Sequence, residues 1–361
     1  MEAPILEVRC EGMRRNQIRP ILLTEYVPKP KLVLEDHTPQ RAKFPVIDVH
    51  NHIGKRGEEW AVRDVEKLLH DMDACNVKLI VNLSGGWGDV LKENIDRYRS
   101  KYPDRFAIFA NLDWSLVGEP NFGEKLAKQL DRSVKAGAQG LKIFKNLGLG
   151  VRDKNGRLLR ADDERLKPLW QKAAELKVPV LYHIADPVAF FDPLDRFNER
   201  WEELVKHPSW HFYDRDYPSF MELMEQQVNL LKSNPQTTFI SAHVASYAEN
   251  LKWVERLLEE CPNLYVDISE RIGELGRQPY TARKFFIRHS DRILFGIDVY
   301  PLPEWYRVYF RFLETEDEYF NYSLTDIPRQ GRWMIYGIHL PDEVLSKVYH
   351  ENAERIIPGV R

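Results

Sequence analysis

The stretch that decides the fold is "FPVIDVHNHIG", Phe44 to Gly54. Its apolar residues Val46, Ile47 and Val49 lead straight into Asp48, His50 and His52. A β-strand turns successive side chains to opposite faces, so residues two apart share one. By that rule Asp48, His50 and His52 point the same way. A buried strand that ends by presenting a carboxylate and two imidazoles has a chemical task at its end.

Seven more short apolar runs follow: "KLIVNLS" (78–84), "RFAIFANLD" (105–113), "GLKIFK" (140–145), "VPVLYHIAD" (178–186), "TTFISAHVA" (237–245), "NLYVDIS" (263–269) and "RILFGIDVY" (292–300). Between them lie amphipathic patterns such as "VRDVEKLLHDMDAC", "EKLAKQLDRSVKAG", "LKPLWQKAAELK" and "ENLKWVERLLEEC". Apolar strands alternating with helices form parallel βα units, and eight is the count of a closed (β/α)8 TIM barrel. A doubly wound open sheet is the runner-up, weakened because no GxGxxG follows any strand. The expected organisation is an irregular, Pro-punctuated N-terminal arm over 1–44 and one α/β barrel domain over 45–361. Two connections are too long for plain loops, 187–216 after the fifth strand and 301–333 after the eighth. Both leave the C-terminal ends of strands, the face where barrel active sites sit.

The 361 residues are 43% hydrophobic and 30% charged, the composition of a soluble globular protein with a sizeable core. A net charge of -3 gives no basic field for nucleic acid or an anionic membrane. No apolar run approaches the roughly 20 residues of a membrane span. Cys10, Cys75 and Cys261 lie far apart, so neither a thiolate metal site nor a disulfide framework is expected. That fits a reducing, cytoplasmic setting and a small-molecule substrate. A homo-oligomer is left open.

The polar residues within the strands carry the functional signal. His50 and His52 end the first, Lys142 lies in the fourth, His183 ends the fifth, His243 the sixth and Asp298 the eighth. In a barrel all converge on one mouth. Singly, each histidine is as readily a hydrogen-bonded structural residue. Together they form a donor set suited to divalent ions, zinc first, with manganese or iron as other options. An open coordination position on such an ion activates a water.

The ordered set "VIDVHNH", "GLKIF", "LYHIAD", "ISAHVA" and "LFGIDVYP", with the ending "YHENAERIIPG" (349–359), resembles the amidohydrolase superfamily. It is most similar to the amidohydrolase-2 branch, which includes aminocarboxymuconate-semialdehyde decarboxylase-like enzymes, from about residue 45 to 359. The resemblance implies a barrel holding one divalent ion on His50, His52, His183 and Asp298, with His243 beside the reacting groups. Two departures stand out: Ile297 precedes Asp298 where Thr or Ser is frequent, and strand four reads "LKIFKN" without a following His-Pro. Lys142 is either an amine for a substrate carboxylate or a carboxylated bridge between two ions. Asp48 either accepts from a ligand imidazole or serves the barrel rim.

Near strand seven, "DISERIGELGRQPYTARKFF" (267–286) offers Asp267, Glu270, Arg271 and Arg277. Either arginine could hold a carboxylate through two parallel hydrogen bonds, or merely pair on the surface. Phe190, Phe191, Trp201, Trp210, His211 and Tyr213 in 187–216 could roof the pocket, Trp210 against substrate, or only pack the loop down. The expected activity is hydrolysis of a C–O or C–N bond in a small, carboxylate-bearing molecule by an ion-activated water. Asp298 takes the proton and His243 polarises the carbonyl. The rivals are a metal-dependent decarboxylase and a catalytically idle binding barrel.

Overall fold

The computed structural model describes residues 21–54, 61–214 and 216–360. Residues 1–20 of the expected arm, including Cys10, lie outside the described residues. Described residues 21–34 fall in one compact unit, with a short 3-10 turn at Leu23–Glu25, and the chain from Glu35 onward forms another. In that second unit His37 donates its backbone N–H to Asp317 at 2.9 Å, and Ala42 donates to the Cys75 carbonyl at 3.1 Å. No helix among the described residues is long and apolar enough to cross a membrane.

Eight parallel strands run in sequential order: β1 (Val46–Asn51), β2 (Val77–Asn82), β3 (Phe106–Ala110), β4 (Gly140–Ile143), β5 (Val180–Tyr182), β6 (Phe239–Ser241), β7 (Leu264–Asp267) and β8 (Ile293–Leu294). This is the expected TIM barrel. Helices occupy the expected amphipathic stretches, at Val65–Cys75, Phe122–Lys135, Lys167–Glu175 and Leu251–Glu260. Their limits follow from capping: Asp64 accepts from the Lys67 N–H, and Asn76 takes the left-handed conformation that ends the first. The long stretch after β8 opens with a regular helix, Pro303–Glu314, before turning irregular.

Two buried clusters show which way the strands face. Ile47, Val49, Leu79, Val81, Phe109, Leu181, Ile240 and Leu294 pack together, with Ile357 and Val360 of the C-terminal segment among them. The strand residues between them, such as Val46, Ile80, Phe106, Ile108 and Val180, join the larger cluster shared with the helices. The first group therefore fills the barrel and the second faces outward.

The seam between β1 and β8 is closed by few bonds. Val49 N–H donates to the Phe295 carbonyl at 2.9 Å, and Asp298 N–H to the His50 carbonyl at 2.8 Å. Gly296 permits the approach, since a Cβ there would lie 2.8 Å from His50 Cβ. Asp48 adds the remaining stitch. Its buried carboxylate accepts from the N–H groups of His50 (3.1 Å) and Ile297 (3.3 Å), from Asn51 Nδ2 (2.9 Å) and from the Tyr306 hydroxyl (2.8 Å). Asp48 thus serves the seam and faces the helix layer, the second of the roles open for it. Strict alternation fails because the β1–β2 register shifts between Asp48 and Asn51. Burial pushes the Asp48 carboxyl up to about 7 against the pull of those four donors.

Asp48→Ala leaves several buried donors without an acceptor and is expected to cost about 3 kcal/mol. Tyr306→Phe, which removes one donor, is expected to cost about 1 kcal/mol. Urea unfolding of both variants, with slopes unchanged from wild type, checks the difference. Equal losses would show that Asp48 is not what holds the seam.

Candidate active site

The imidazoles and Asp298 meet at the C-terminal mouth. Asp298 Oδ2 lies 3.4 Å from His50 Nε2 and 3.6 Å from His243 Nε2, and its Oδ1 lies 3.4 Å from His52 Nε2. Three Nε2 atoms thus point at one carboxylate. Each ring is engaged on its other side: His50 Nδ1 with Asp267 Oδ2 at 2.9 Å, His52 Nδ1 with Ser84 Oγ at 2.8 Å, and His243 Nδ1 with the Ser269 carbonyl at 2.9 Å. Lys142, also buried, places Nζ 3.3 Å from His50 Nε2.

His183 stands beside this cluster. Its ring centroid is 4.4 Å from that of His243, while its Nε2 faces the Ala185 carbonyl at 3.1 Å and Asp186 Oδ1 at 3.4 Å. Asp186 in turn holds Lys145 Nζ at 2.5 Å. Among the described residues, His50, His52 and Asp298 form one group whose ligand atoms all lie within 4.8 Å of one another, and His50, His243 and Asp267 form a second.

Burial dominates the electrostatics. It lowers His50 and His243 well below the ordinary imidazole value, His183 to about 4 and His52 to about 3, so all four are neutral at pH 7. Neutral imidazoles keep a lone pair for a cation. Burial also raises the Asp298 carboxyl to about 8 and lowers Lys142 to about 8, each drawn partway back by its attraction to the other. Burial alone would raise Asp186, but Lys145 and His183 hold it well below the usual carboxylate range. Neutral nitrogens gathered around the Asp298 carboxyl are a donor set that fits a divalent ion.

The backbone around the site is strained. His243, Glu270 and Asp298, just beyond β6, β7 and β8, have φ of 60°, 54° and 52°, and the left-handed turn continues through Val244, Ala245 and Ser246. Each such residue costs about 1–2 kcal/mol, and such strain concentrates at functional sites.

Arg271 is 4% exposed, yet among the described residues its only hydrogen bond is from Nη1 to the neighbouring Glu270 carbonyl at 2.8 Å. Its buried Nε has no partner, and it makes no ion pair among the described residues. It lines a cavity of about 430 Å³ together with His183, His243, Asp298, Lys145, Phe190, Trp210 and Trp305. Arg277 lies outside that lining. Its guanidinium is bidentate on Glu199, at 2.7 and 3.1 Å, and stacks 4.1 Å from the Trp333 ring. The structure therefore brings His50, His52, His243, Asp298 and Lys142 together, sets His183, Arg271 and Trp210 on the adjoining wall, and leaves Arg277 to tie loops.

Sequence reasoning gave no role to Lys145, Asp186 or Ser84, whose partners lie across loops, nor to Arg200 and Glu203 of the cavity wall. Arg200 is almost wholly buried, pairs with Glu203 at 2.8 Å and contacts Glu274. The start of a long loop immediately after His183 was the signal available for Asp186.

Imidazoles in or just after β1, β5 and β6 and a carboxylate after β8 thus stand at one mouth of a parallel eight-stranded barrel. The chain belongs to the amidohydrolase-2 family, whose model, described as amidohydrolase, matches residues 47–359. None of the curated protein sequences matches it. Among solved structures, a 2,6-dihydroxybenzoate decarboxylase from Rhizobium is similar at 16% identity over 87% of this chain and 98% of its own, with a TM-score of 0.55. A dihydroxybenzoic acid decarboxylase from Polaromonas sp. JS666, with bound manganese and the inhibitor 2-nitroresorcinol, shows 15% identity over 87% and 96%, TM-score 0.56. A 4-oxalomesaconate hydratase from Rhodopseudomonas palustris shows 15% identity over 87% and 96%, TM-score 0.50. These likenesses show the shared fold.

Because the Asp298 carboxyl is raised, a divalent ion must displace its proton below pH 8. The affinity for zinc or manganese is expected to weaken as pH falls below about 8, with proton release on binding. Calorimetry in buffers of different ionisation enthalpy checks this. Proton uptake would contradict it.

Proposed function

We propose that the protein is a metal-dependent hydrolase of a small, polar, carboxylate-bearing molecule. One observation carries the reading. Arg271, whose buried Nε lacks a hydrogen-bond partner, and the Asp298–imidazole cluster line the same cavity. An unsatisfied buried N–H is costly, and a substrate carboxylate would satisfy it with a charge-assisted hydrogen bond.

His50, His52 and Asp298 would hold one ion, with His183 as the further ligand the family resemblance implies; zinc suits nitrogen and oxygen donors, and manganese or iron remain alternatives. Such an ion supplies a polarised carbonyl and a readily deprotonated water. Asp298 Oδ accepts the water's proton; His243, whose Nδ1–H is spent on the Ser269 carbonyl, turns an Nε2 lone pair to the same point and would steady the carbonyl oxygen only after taking up a proton there. Arg271 fixes the substrate carboxylate, so the scissile carbonyl is oriented before reaction. Lys142 stays an amine, poised beside His50 for an anionic group. Phe190, Trp210 and Trp305 line the cavity and would form its cover over a bound substrate.

Decarboxylation is the second reading, favoured by that aromatic cover, since a dry pocket destabilises a carboxylate relative to CO2. The structural likeness to decarboxylases supports it equally. Charged side chains outnumber aromatic ones along the wall, however, with Lys145, Asp186, Arg200, Glu203, Glu270, Arg271 and Arg329 all present. That wall suits a polar substrate better than a planar apolar acid, and hydrolysis is preferred on this ground.

The test is a screen of lactones, esters and amides of carboxylic acids, alongside hydroxylated aromatic acids, in water enriched in heavy oxygen. Heavy oxygen in the product within one turnover, without CO2, is expected. CO2 release with solvent hydrogen on carbon would establish the lyase instead. Loss of one charge-assisted contact predicts that Arg271→Met raises KM about 10- to 100-fold. An unchanged KM would remove Arg271 from substrate binding.

A further inference from the structure

β7 ends in Asp267, and Ser269 follows it two residues on. Both are fully buried. Asp267 divides its oxygens between two tasks. Oδ1 accepts from the backbone N–H of Ser269 (3.0 Å), the backbone N–H of His243 (3.2 Å) and the Ser269 hydroxyl (2.5 Å). Oδ2 faces His50 Nδ1 at 2.9 Å. The Ser269 hydroxyl proton is committed to Asp267, so Ser269 Oγ is left as an acceptor. It lies 3.0 Å from His50 Nδ1 and 3.0 Å from His243 Nδ1.

We infer that Asp267 and Ser269 form one positioning hub that fixes the protons of His50 and His243 on Nδ1 and so turns both Nε2 lone pairs toward Asp298. The hydrogen-bond inventory requires it. A carboxylate oxygen, a carbonyl oxygen and a hydroxyl whose proton is spent elsewhere accept only, so each ring must present Nδ1–H to them. Lys142 gives independent support on the opposite edge of His50. Its Nζ lies 3.3 Å from Nε2 and donates to it, which demands a lone pair there. A single β7 carboxylate therefore sets imidazoles delivered by two different strands, β1 and β6. Partners of this kind typically change metal affinity by about 10- to 100-fold when removed.

The inference deepens the metal-site reading proposed above and rests on it for the affinity, though the tautomers can be read without metal. Asp267→Asn is the discriminating variant because it preserves shape. Three donors hold the Oδ1 position and keep the amide oxygen there. The amide NH2 then faces His50 Nδ1 and opposes a proton there, which shifts the ring toward Nε2–H against the pull of Ser269 Oγ and Lys142. Ser269→Ala is the second variant, removing the shared acceptor while His243 keeps the Ser269 carbonyl.

Nitrogen NMR of the metal-free protein, with histidine selectively labelled, reads the tautomers directly. His50 and His243 are expected as Nδ1–H in wild type, and His50 shifted toward Nε2–H in Asp267→Asn. Calorimetry with manganese or zinc is expected to show binding weakened about 10- to 100-fold in Asp267→Asn and less in Ser269→Ala, with unchanged circular dichroism. His50 as Nε2–H in wild type, or affinity unchanged in Asp267→Asn beside a metal-binding wild type, would overturn the hub. A wild type that binds neither metal would overturn the metal reading, and the NMR result would then judge the hub alone.

Discussion

The site depends on how the barrel closes. A circle of eight strands has one seam where the last must meet the first, and here the last strand is only two residues long. The bonds that join them involve the same residues that carry the chemistry. The His50 carbonyl receives the Asp298 N–H, and Asp48 receives the N–H groups of His50 and Ile297. The spacing between an imidazole and the carboxylate opposite is therefore fixed by main chain, which rotamer freedom cannot blur. A slip of one residue across this seam would separate His50 from Asp298 and dismantle fold and site together.

Burial does the second part. Water around His50, His243 and Asp298 would favour their charged forms and fill the gap between them. Its exclusion leaves neutral nitrogens and a carboxyl reluctant to ionise, an arrangement that a small doubly charged ion resolves. Left-handed residues follow β6, β7 and β8, at His243, Glu270 and Asp298. The stability lost in those conformations is recovered from the barrel interior, where Ile47, Val49, Leu181 and Leu294 are wholly buried.

The eight strands and the gathering of His50, His52, His243 and Asp298 were legible in the sequence because each breaks an apolar run at its C-terminal end. Asp48 was read to the wrong face, since period-two counting fails at a register shift that no single strand reveals. Asp267 was visible, but its partner lies 217 residues away in the chain. Its spacing to Ser269 repeats the two-residue interval of His50 and His52, and that repetition was the available clue. Arg271 and Arg277 looked alike from sequence. Only the third dimension shows Glu199 clamping Arg277, while Arg271 forms no ion pair among the described residues and keeps an unsatisfied Nε in the cavity wall.

The connection after β5 is fastened by apolar burial, with Phe190, Leu204 and Phe212 in the core, and by charge at its outer edge. Glu199 grips Arg277, Glu202 grips Arg332 at 2.7 Å, and Arg200 reaches Glu274, while Phe197 and Trp201 remain exposed. Ion pairs near the surface are screened by salt, whereas the buried Arg200–Glu274 pair and the apolar contacts beneath are not. Glu199–Arg277 and Glu202–Arg332 are thus the salt-sensitive clamps of this connection, and its buried anchors tie it to the barrel at any ionic strength.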